Sequence, residues 1–318
     1  MNSMIACVFP GQGAQSVGML SALAAECPLV EDTFAEASEV LGRDLWRIVQ
    51  EGPAEVLDRT EHTQPAMLAA GVAVWRVWRS RGGPDPVALA GHSLGEYTAL
   101  VAGEALSFAD AVALVAERAR LMQEAVPAGR GAMAAVLGLN DAAVEALCEA
   151  HRSAGVVEAV NYNAPGQVVI AGERAAVEAV AEAARAAGAR RVVPLAVSVP
   201  SHSSLMREAA ARLAERLAGV AFRAPRWPVL HNVDARPRAD ADAVREALAR
   251  QLHSPVRWTD TVRALREAHG ARALLECGPG KVLTGLARRI DRGLEAHAVH
   301  DPESLAAALA ALRDGGER

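Results

Sequence analysis

The chain has 318 residues, of which 51% are hydrophobic and 22% charged, enough for one large globular domain and a smaller one. Its net charge of -5 argues against general nucleic-acid binding, which needs a basic surface. No stretch approaches the ~18 consecutive apolar residues of a membrane span. The N-terminus also lacks the basic and apolar regions of a signal peptide. We therefore expect a soluble, cytoplasmic protein that binds neither membranes nor nucleic acid.

The first predicted element is a buried strand over residues 4–10, which leads into the loop Gly11-Gln12-Gly13. A second buried strand, over residues 86–90, leads into the turn Gly91-His92-Ser93-Leu94-Gly95, after which a helix begins. Another helix begins near Ser107. Short apolar strands that alternate with helical patterns predict an α/β protein with a parallel sheet.

From residue 131 the pattern changes to strand, helix, strand, strand, helix, strand, which is the order of a split ferredoxin-like unit. The predicted strands cover residues 132–137, 156–161, 167–171 and 191–199, and the predicted helices cover residues 141–152 and 174–187. We therefore expect a small ferredoxin-like domain over 129–198, inserted in a large domain made of 1–128 and 199–318. A helix over 204–217 and strands over 227–232 and 271–276 complete the large domain.

The four cysteines are scattered, and no two have the C-x-x-C spacing typical of zinc or redox sites. They are Cys7, Cys27, Cys148 and Cys277. Isolated thiols in a chain of this length indicate a reducing compartment. We expect no metal site.

The turn around Ser93 fits the G-x-S-x-G pattern of a nucleophile elbow, with a strand before it and a helix after it. Such a turn strains the serine backbone and leaves room only for glycine at its flanks. It also places Ser93 at a helix N-terminus, where the backbone N–H of Leu94 could donate to an oxyanion. The alternative is an ordinary glycine-rich turn.

A serine hydroxyl needs a base to act as a nucleophile. Of the nine histidines, His202 follows a predicted strand and precedes a predicted helix, which places it at a strand end. His92 is adjacent to Ser93, but neighbours on a tight turn point apart. Because the other seven lie in helices or loops without special context, His202 is the candidate base.

Two further residues could reach the same edge of the sheet. The Gln12 loop follows the first strand, so one of its backbone N–H groups could be a second oxyanion donor. The alternative is a turn with a solvent-facing glutamine. Arg118 lies in the helix that begins near Ser107. It would contact a substrate only if that substrate carried a free carboxylate, because arginine binds carboxylates with two hydrogen bonds.

Nine segments together resemble a known family. They are Phe9-Pro10-Gly11-Gln12-Gly13, Gly91-His92-Ser93-Leu94-Gly95-Glu96, Met122-Gln123-Glu124-Ala125-Val126-Pro127, Gly131-Ala132-Met133, the run from Asn163 to Gly172, Val199-Pro200-Ser201-His202, Asn232-Val233-Asp234, Pro255-Val256-Arg257-Trp258 and the run from Glu276 to Leu283. In this order, the segments resemble the malonyl-CoA:acyl carrier protein transacylases of bacterial fatty acid synthesis and the related acyltransferase domains of polyketide synthases. The resemblance covers nearly the whole chain.

The resemblance implies an α/β-hydrolase-like large domain with a ferredoxin-like small one, and it implies a role for each matching residue. Ser93 would carry the acyl group and His202 would be its general base, oriented by the backbone carbonyl of Gln251 instead of an acid. The backbone N–H groups of Gln12 and Leu94 would form the oxyanion hole.

The resemblance further implies that Arg118 binds the malonyl carboxylate and that Met133 lies close to the acyl group, and we also place His92 among the substrate-binding residues. Malonyl-CoA would be the substrate and acyl carrier protein, with its phosphopantetheine thiol, the partner; no cofactor is implied, and the chain would be a monomer. The sequence departs from the family at His231, where Asn is frequent.

Two other activities share the acyl-serine chemistry: a serine thioesterase or other hydrolase, and a trans-acting polyketide synthase acyltransferase. The carrier protein of this family is acidic, so a basic docking patch is expected. Lys281, Arg288 and Arg289 cluster in the sequence and are candidates for it. The alternative is an ordinary solvated helix face.

Overall fold

Two separate β-sheets organise the chain in a computed structural model, which describes residues 4–127, 129–197 and 199–313. Nine strands lie in these residues. They are β1 (Ile5–Phe9), β2 (Ala88–Gly91), β3 (Gly131–Leu137), β4 (Val157–Ala164), β5 (Gln167–Glu173), β6 (Arg191–Pro194), β7 (Val229–Leu230), β8 (Ala273–Cys277) and β9 (Glu295–Val299).

Fourteen α-helices lie in the same described residues. They are α1 (Ser21–Glu26), α2 (Leu29–Leu41), α3 (Leu45–Glu51), α4 (Ala54–Leu57), α5 (Thr60–Ser80), α6 (Gly95–Ala102), α7 (Phe108–Ala125), α8 (Asp141–Ala150), α9 (Arg174–Ala186), α10 (Arg207–Ala218), α11 (Ala241–Gln251), α12 (Trp258–Glu267), α13 (Val282–Ile290) and α14 (Pro302–Arg313). As predicted, α7 begins after Ser107, whose hydroxyl oxygen accepts the Asp110 N–H at 3.1 Å. None of the described helices is both long and apolar enough to cross a membrane.

The larger sheet has five parallel strands in the order β7-β2-β1-β8-β9. All of β1 is buried, and its residues alternate between two cores. Ile5, Cys7 and Phe9 pack in one core, and Ala6 and Val8 pack in the other. Burial on both faces explains why β1 and β2 have continuous apolar runs instead of alternating patterns. The carboxyl ends of β1, β2 and β8 therefore meet at one edge, as open α/β sheets require.

The smaller sheet is antiparallel, with the order β4-β5-β3-β6. Helices α8 and α9 cover one of its faces. The order β3-α8-β4-β5-α9-β6 confirms the predicted ferredoxin-like unit within an α/β fold. The domain division at residues 128/129 and 198/199 stays a prediction, because Ala128 and Ser198 lie outside the described residues.

Two strand predictions at the sheet edges differ from the structure, and a third edge strand was not predicted. Strand β6 ends at Pro194 instead of residue 199; proline has no N–H for the ladder with β3. Strand β7 has only two residues of the six predicted. Strand β9 was not predicted, because its two buried residues, Ala296 and Val299, do not alternate regularly with polar ones.

Candidate active site

Ser93 lies between β2 and α6, on a turn that only glycine can flank. Its φ is 51°, a left-handed conformation that is rare and strained outside glycine. A Cβ at Gly91 would lie 1.8 Å from the Gly95 carbonyl carbon, and one at Gly95 would lie 2.1 Å from the Phe9 carbonyl oxygen. The backbone is therefore packed too tightly for side chains at these two positions, and α6 begins at Gly95, two residues after Ser93.

Ser93 and His202 are hydrogen-bonded, with 2.7 Å between Ser93 Oγ and His202 Nε2. On the other side of the ring, Nδ1 lies 2.8 Å from the backbone carbonyl oxygen of Gln251. A carbonyl oxygen can only accept, so Nδ1 carries the proton and Nε2 presents its lone pair to the serine hydroxyl. This geometry allows His202 to take the proton of Ser93.

The location of His202 corrects the prediction that it follows a strand end. Strand β6 ends at Pro194, so His202 lies in a loop and not at the end of a strand. Two carbonyls at the C-terminus of α11 hold it there: the His202 N–H donates to Leu252 at 3.1 Å, and the ring donates to Gln251. The φ of His202 is 66°, a second strained backbone in the site.

His202 is 3% exposed. Burial, together with the positive charge of Arg118, lowers the pKa of His202 to about 3, although the hydrogen bond to Gln251 acts in the opposite direction. The ring is therefore neutral at physiological pH, which is the form that can accept a proton.

Arg118 reaches the nucleophile from α7 and is 1% exposed. Its Nη2 lies 3.3 Å from Ser93 Oγ and donates to Gln251 Oε1 at 3.1 Å, while Nη1 donates to Gln64 Oε1 at 2.8 Å. Its guanidinium carbon lies 5.7 Å from the centre of the Tyr97 ring. A buried cation beside Ser93 would attract an acyl group that carries a negative charge.

The Gln12 loop packs directly against the serine turn. A Cβ at Gly11 would lie 2.5 Å from the His92 carbonyl oxygen. Within the described residues, neither the Gln12 N–H nor the Leu94 N–H donates a hydrogen bond to the protein. Neither N–H therefore has a protein acceptor among these residues, and their role as oxyanion donors stays a prediction. Gln12 also lines a cleft of about 520 Å³ with Thr60 and Val197, among others.

Two predicted substrate-binding residues lie outside the hydrogen-bonded cluster. Met133, on β3, is 6% exposed and lines a separate cleft of about 460 Å³. Val197 borders this cleft as well as the Gln12 cleft. His92 Nε2 lies 2.7 Å from Asn163 Oδ1, and its ring packs 5.5 Å from Trp258. The contacts of His92 therefore connect the serine turn to β4; its role in substrate binding stays a prediction.

Four buried polar residues complete the site, and no role had been predicted for them from the sequence. Asn232 Oδ1 accepts the Ser93 N–H at 2.7 Å, and its Nδ2 donates to the Gly91 carbonyl at 2.6 Å. Glu96 accepts from the Asn232 N–H at 2.9 Å and pairs with His231 Nδ1 at 2.6 Å. Gln64 accepts from Arg118. The available signal was a polar residue within an apolar helix, as at Gln64 and Glu96.

The predicted basic patch is exposed at the N-terminus and along one face of α13. Arg289 donates to Gln167 at 2.6 Å, and Arg288 donates to the Ala296 carbonyl at 3.2 Å. Lys281 immediately precedes α13, next to Gly280, whose Cβ would contact Ala14 in the loop after β1. Lys281 therefore adjoins the sheet edge that carries Ser93, whereas Arg288, bonded near the start of β9, lies toward the opposite edge. Among the described residues, no three His, Cys, Asp or Glu side chains cluster so as to hold a metal ion.

Comparisons with known proteins identify the family of this chain. Residues 6–307 match the family described as acyl transferase domain. A protein named malonyl CoA-acyl carrier protein transacylase, from Salmonella typhimurium, is 55% identical over 307 residues, which cover 96% of this chain and 99% of the relative. A solved acyl carrier protein S-malonyltransferase from Vibrio cholerae has a TM-score of 0.93 and 54% identity, covering 96% of this chain and 99% of that one.

A third similar protein was solved with a partner. It is described as a malonyl-transacylase in complex with a type II PKS acyl-carrier protein, and it is 54% identical with a TM-score of 0.95. The match covers 97% of this chain and 100% of the other. This chain belongs to the acyl transferase domain family, as a relative of the malonyl CoA-acyl carrier protein transacylases.

Proposed function

We propose that this protein transfers the malonyl group from malonyl-CoA to the phosphopantetheine thiol of acyl carrier protein and so supplies fatty acid synthesis. The observation that carries the proposal is the buried guanidinium of Arg118, 3.3 Å from the hydroxyl of Ser93. A general serine hydrolase has no use for a buried cation at this position. A malonyl thioester does, because its free carboxylate can pair with the arginine.

In the first half-reaction, Ser93 Oγ attacks the thioester carbonyl carbon of malonyl-CoA while His202 Nε2 takes the hydroxyl proton. The Gln12 and Leu94 N–H groups donate to the oxyanion, and each such donor contributes roughly 10²–10³ in rate. The C–S bond then breaks, and His202 returns the proton to the departing CoA sulfur. The product is malonyl-Ser93.

In the second half-reaction, the carrier thiol gives its proton to His202 and attacks malonyl-Ser93. The ester C–O bond breaks and Ser93 Oγ recovers the proton. One thioester replaces another, so the transfer is close to thermoneutral and reversible. We propose that the Gln12 cleft admits both thiol donors and that Met133 and His92 border the acyl group.

The location and organisation of the protein are part of the same proposal. We place it in the cytoplasm, since all four cysteines are free and buried, as expected in a reducing compartment. We further propose that residues 129–198 form the small domain and that the protein acts as a monomer, which sedimentation analysis would check.

A two-step assay tests the function. The purified protein is incubated with malonyl-CoA alone, and the acyl-enzyme is detected by intact mass. Carrier protein is then added, and malonyl-carrier and free malonate are quantified. We expect one malonyl group per chain, absent from Ser93→Ala, and then malonyl-carrier. Rapid release of free malonate without carrier loading would instead identify a hydrolase.

One observation favours a second carrier. The malonyl-transacylase solved with a type II PKS acyl-carrier protein is 54% identical to this chain, close to the 55% of the Salmonella relative. The second half-reaction is therefore to be compared between a fatty acid carrier and a type II PKS carrier. A higher kcat/KM for the PKS carrier would favour a trans-acting role in polyketide synthesis.

A further inference from the structure

The side chain of Gln251 lies at the centre of the buried polar network and is fully inaccessible. Its Nε2 donates to the Ser93 carbonyl and to Glu96 Oε2, both at 2.9 Å. Its Oε1 accepts from Arg118 Nη2 at 3.1 Å. Every polar atom of this amide is thus used, in addition to the backbone carbonyl that orients His202.

The neighbours allow the amide only one orientation. The Glu96 carboxylate, like the Ser93 carbonyl, can only accept hydrogen bonds, whereas the guanidinium of Arg118 can only donate them. Rotating the amide by half a turn would set Oε1 against two acceptors and the NH₂ group against a cation. Glu96 therefore fixes which end of Gln251 faces Arg118. Glu96 is itself held by His231 and by the Asn232 N–H.

This arrangement positions the cation. The amide oxygens of Gln251 and Gln64 hold Nη2 and Nη1 of Arg118, whereas the buried Nε–H has no partner among the described residues. An arginine held at two nitrogens keeps a fixed plane, and a fixed plane is what the two-point recognition of a carboxylate requires. The backbone carbonyl of Gln251 thus orients His202, whereas its side chain holds Arg118.

We propose that the side chain of Gln251, oriented by Glu96, positions Arg118 for the acyl carboxylate and so determines the preference for malonyl over acetyl groups. The backbone carbonyl of the same residue serves the base, His202, for either acyl group. This inference rests on the proposed function, because it concerns the selectivity of that transfer.

Gln251→Met separates the two roles, because it keeps the backbone carbonyl and the approximate side-chain length but removes the amide. We expect kcat/KM for enzyme acylation by malonyl-CoA to fall by about 10- to 100-fold, the range for a lost hydrogen bond to a charged group. Acylation by acetyl-CoA should fall much less than acylation by malonyl-CoA, because the base stays in place and an acetyl group has no carboxylate for Arg118. Gln50→Met is the matched control. Gln50 lies on α3, donates from Nε2 to the Met19 carbonyl, and has no hydrogen bond to any member of the network.

A double-mutant cycle with Arg118→Met decides whether Gln251 acts through Arg118. If it does, adding Gln251→Met to Arg118→Met leaves the malonyl-to-acetyl ratio unchanged within about twofold. Independent, multiplying effects would overturn the proposal, and so would equal losses for both acyl groups in Gln251→Met alone. Should Gln251→Met fail to fold, Glu96→Gln replaces it in the cycle; it keeps the shape but permits both amide orientations, and its malonyl-to-acetyl ratio should fall.

The wild-type protein separates this inference from the proposed function. If the wild type does not load malonyl groups, the proposed function fails. If it loads them and transfers them to the carrier, but the variants keep the wild-type ratio of malonyl to acetyl acylation, only the role of Gln251 fails.

Discussion

His202 donates its Nδ1–H to the backbone carbonyl of Gln251, the last residue of α11, across 2.8 Å. The last carbonyls of a helix have no intrahelical donor, and the helix dipole makes this end negative. The same carbonyl therefore fixes the tautomer of the base and stabilises the imidazolium that forms during attack. Ser93 precedes the N-terminus of α6, where the dipole favours the opposite charge. The developing anion and cation thus each face a helix end of complementary sign.

The first prediction concerns the pH dependence of acylation. Burial and Arg118 hold the pKa of His202 at about 3, so the base stays neutral until the pH falls through that region. We expect kcat/KM for acetyl-CoA, which has no acyl carboxylate to titrate, to stay level from pH 8 down to about 5. Stopped-flow measurements of enzyme acylation at each pH check this. A fall in kcat/KM at a pH near the ordinary histidine pKa would contradict the prediction.

Removing the neighbouring charge should raise the pH at which acylation activity is lost. In Arg118→Met the cation that lowers the pKa of His202 is absent, so the pKa rises and activity toward acetyl-CoA is lost at a higher pH than in the wild type. Burial remains, so the pKa stays below that of an exposed histidine. Arg47→Met, at an exposed residue of α3, should leave the pH at which activity is lost unchanged.

Arg118→Met should also change selectivity. Losing a charged pair from a site that excludes water costs about 2–5 kcal/mol, so malonyl acylation should fall at least about 30-fold. Acetyl acylation should fall much less, because an acetyl group presents no carboxylate to Arg118. Equal losses for the two acyl groups would show that Arg118 supports Ser93 alone and does not recognise the substrate.

Much of the fold could be predicted because its strongest signals are local. The apolar runs of β1 and β2 reflect the burial of whole strands, and the glycine at Gly91 reflects a close approach to Gly95, four residues later. The edge elements could not be predicted in this way. Strand β9 is a strand because it pairs with β8 along the edge of the parallel sheet, and its own pattern is weak.

The residues of the candidate site likewise differ in whether local sequence patterns could predict them. Ser93 follows from its motif, whereas the loop of His202 is held by carbonyls of α11, about 50 residues later in the chain. The predicted strand end was a wrong reason for choosing His202 as the candidate base. The resemblance to a family implied the same role independently. The contacts within the network of Glu96, Asn232 and Gln251 could not be predicted from the sequence, because its hydrogen bonds join residues more than 130 positions apart.

Gln64 provides a test of the second support of Arg118. Its Oε1 accepts from Arg118 Nη1 at 2.8 Å in a fully buried position. In Gln64→Leu this N–H loses its partner, so malonyl acylation should fall by about 10-fold, with acetyl acylation little changed. Thermal unfolding monitors the accompanying loss of stability. An unchanged malonyl-to-acetyl ratio would show that Gln251 alone fixes the guanidinium.

The last prediction concerns the surface around α13. Lys281, the only lysine in the chain, adjoins the sheet edge that carries Ser93, and the exposed Arg288 and Arg289 lie in the last turn of α13. Reversing all three charges to Glu should raise KM for an acidic carrier protein by about 10-fold, since each exposed pair contributes roughly 0.2–1 kcal/mol. The effect should shrink with added salt, because exposed charges are screened over about 10 Å at 0.1 M.

Acylation by malonyl-CoA, measured without carrier, separates docking from chemistry in this triple variant. It should stay within about twofold of the wild type, because Ser93, His202 and Arg118 contact none of the three side chains. Arg47→Glu, at an exposed residue of α3, is the control charge reversal and should leave KM for the carrier unchanged. Equal effects per reversed charge in Arg47→Glu and in the triple variant would mean that net charge, and not this surface, governs the encounter with the carrier.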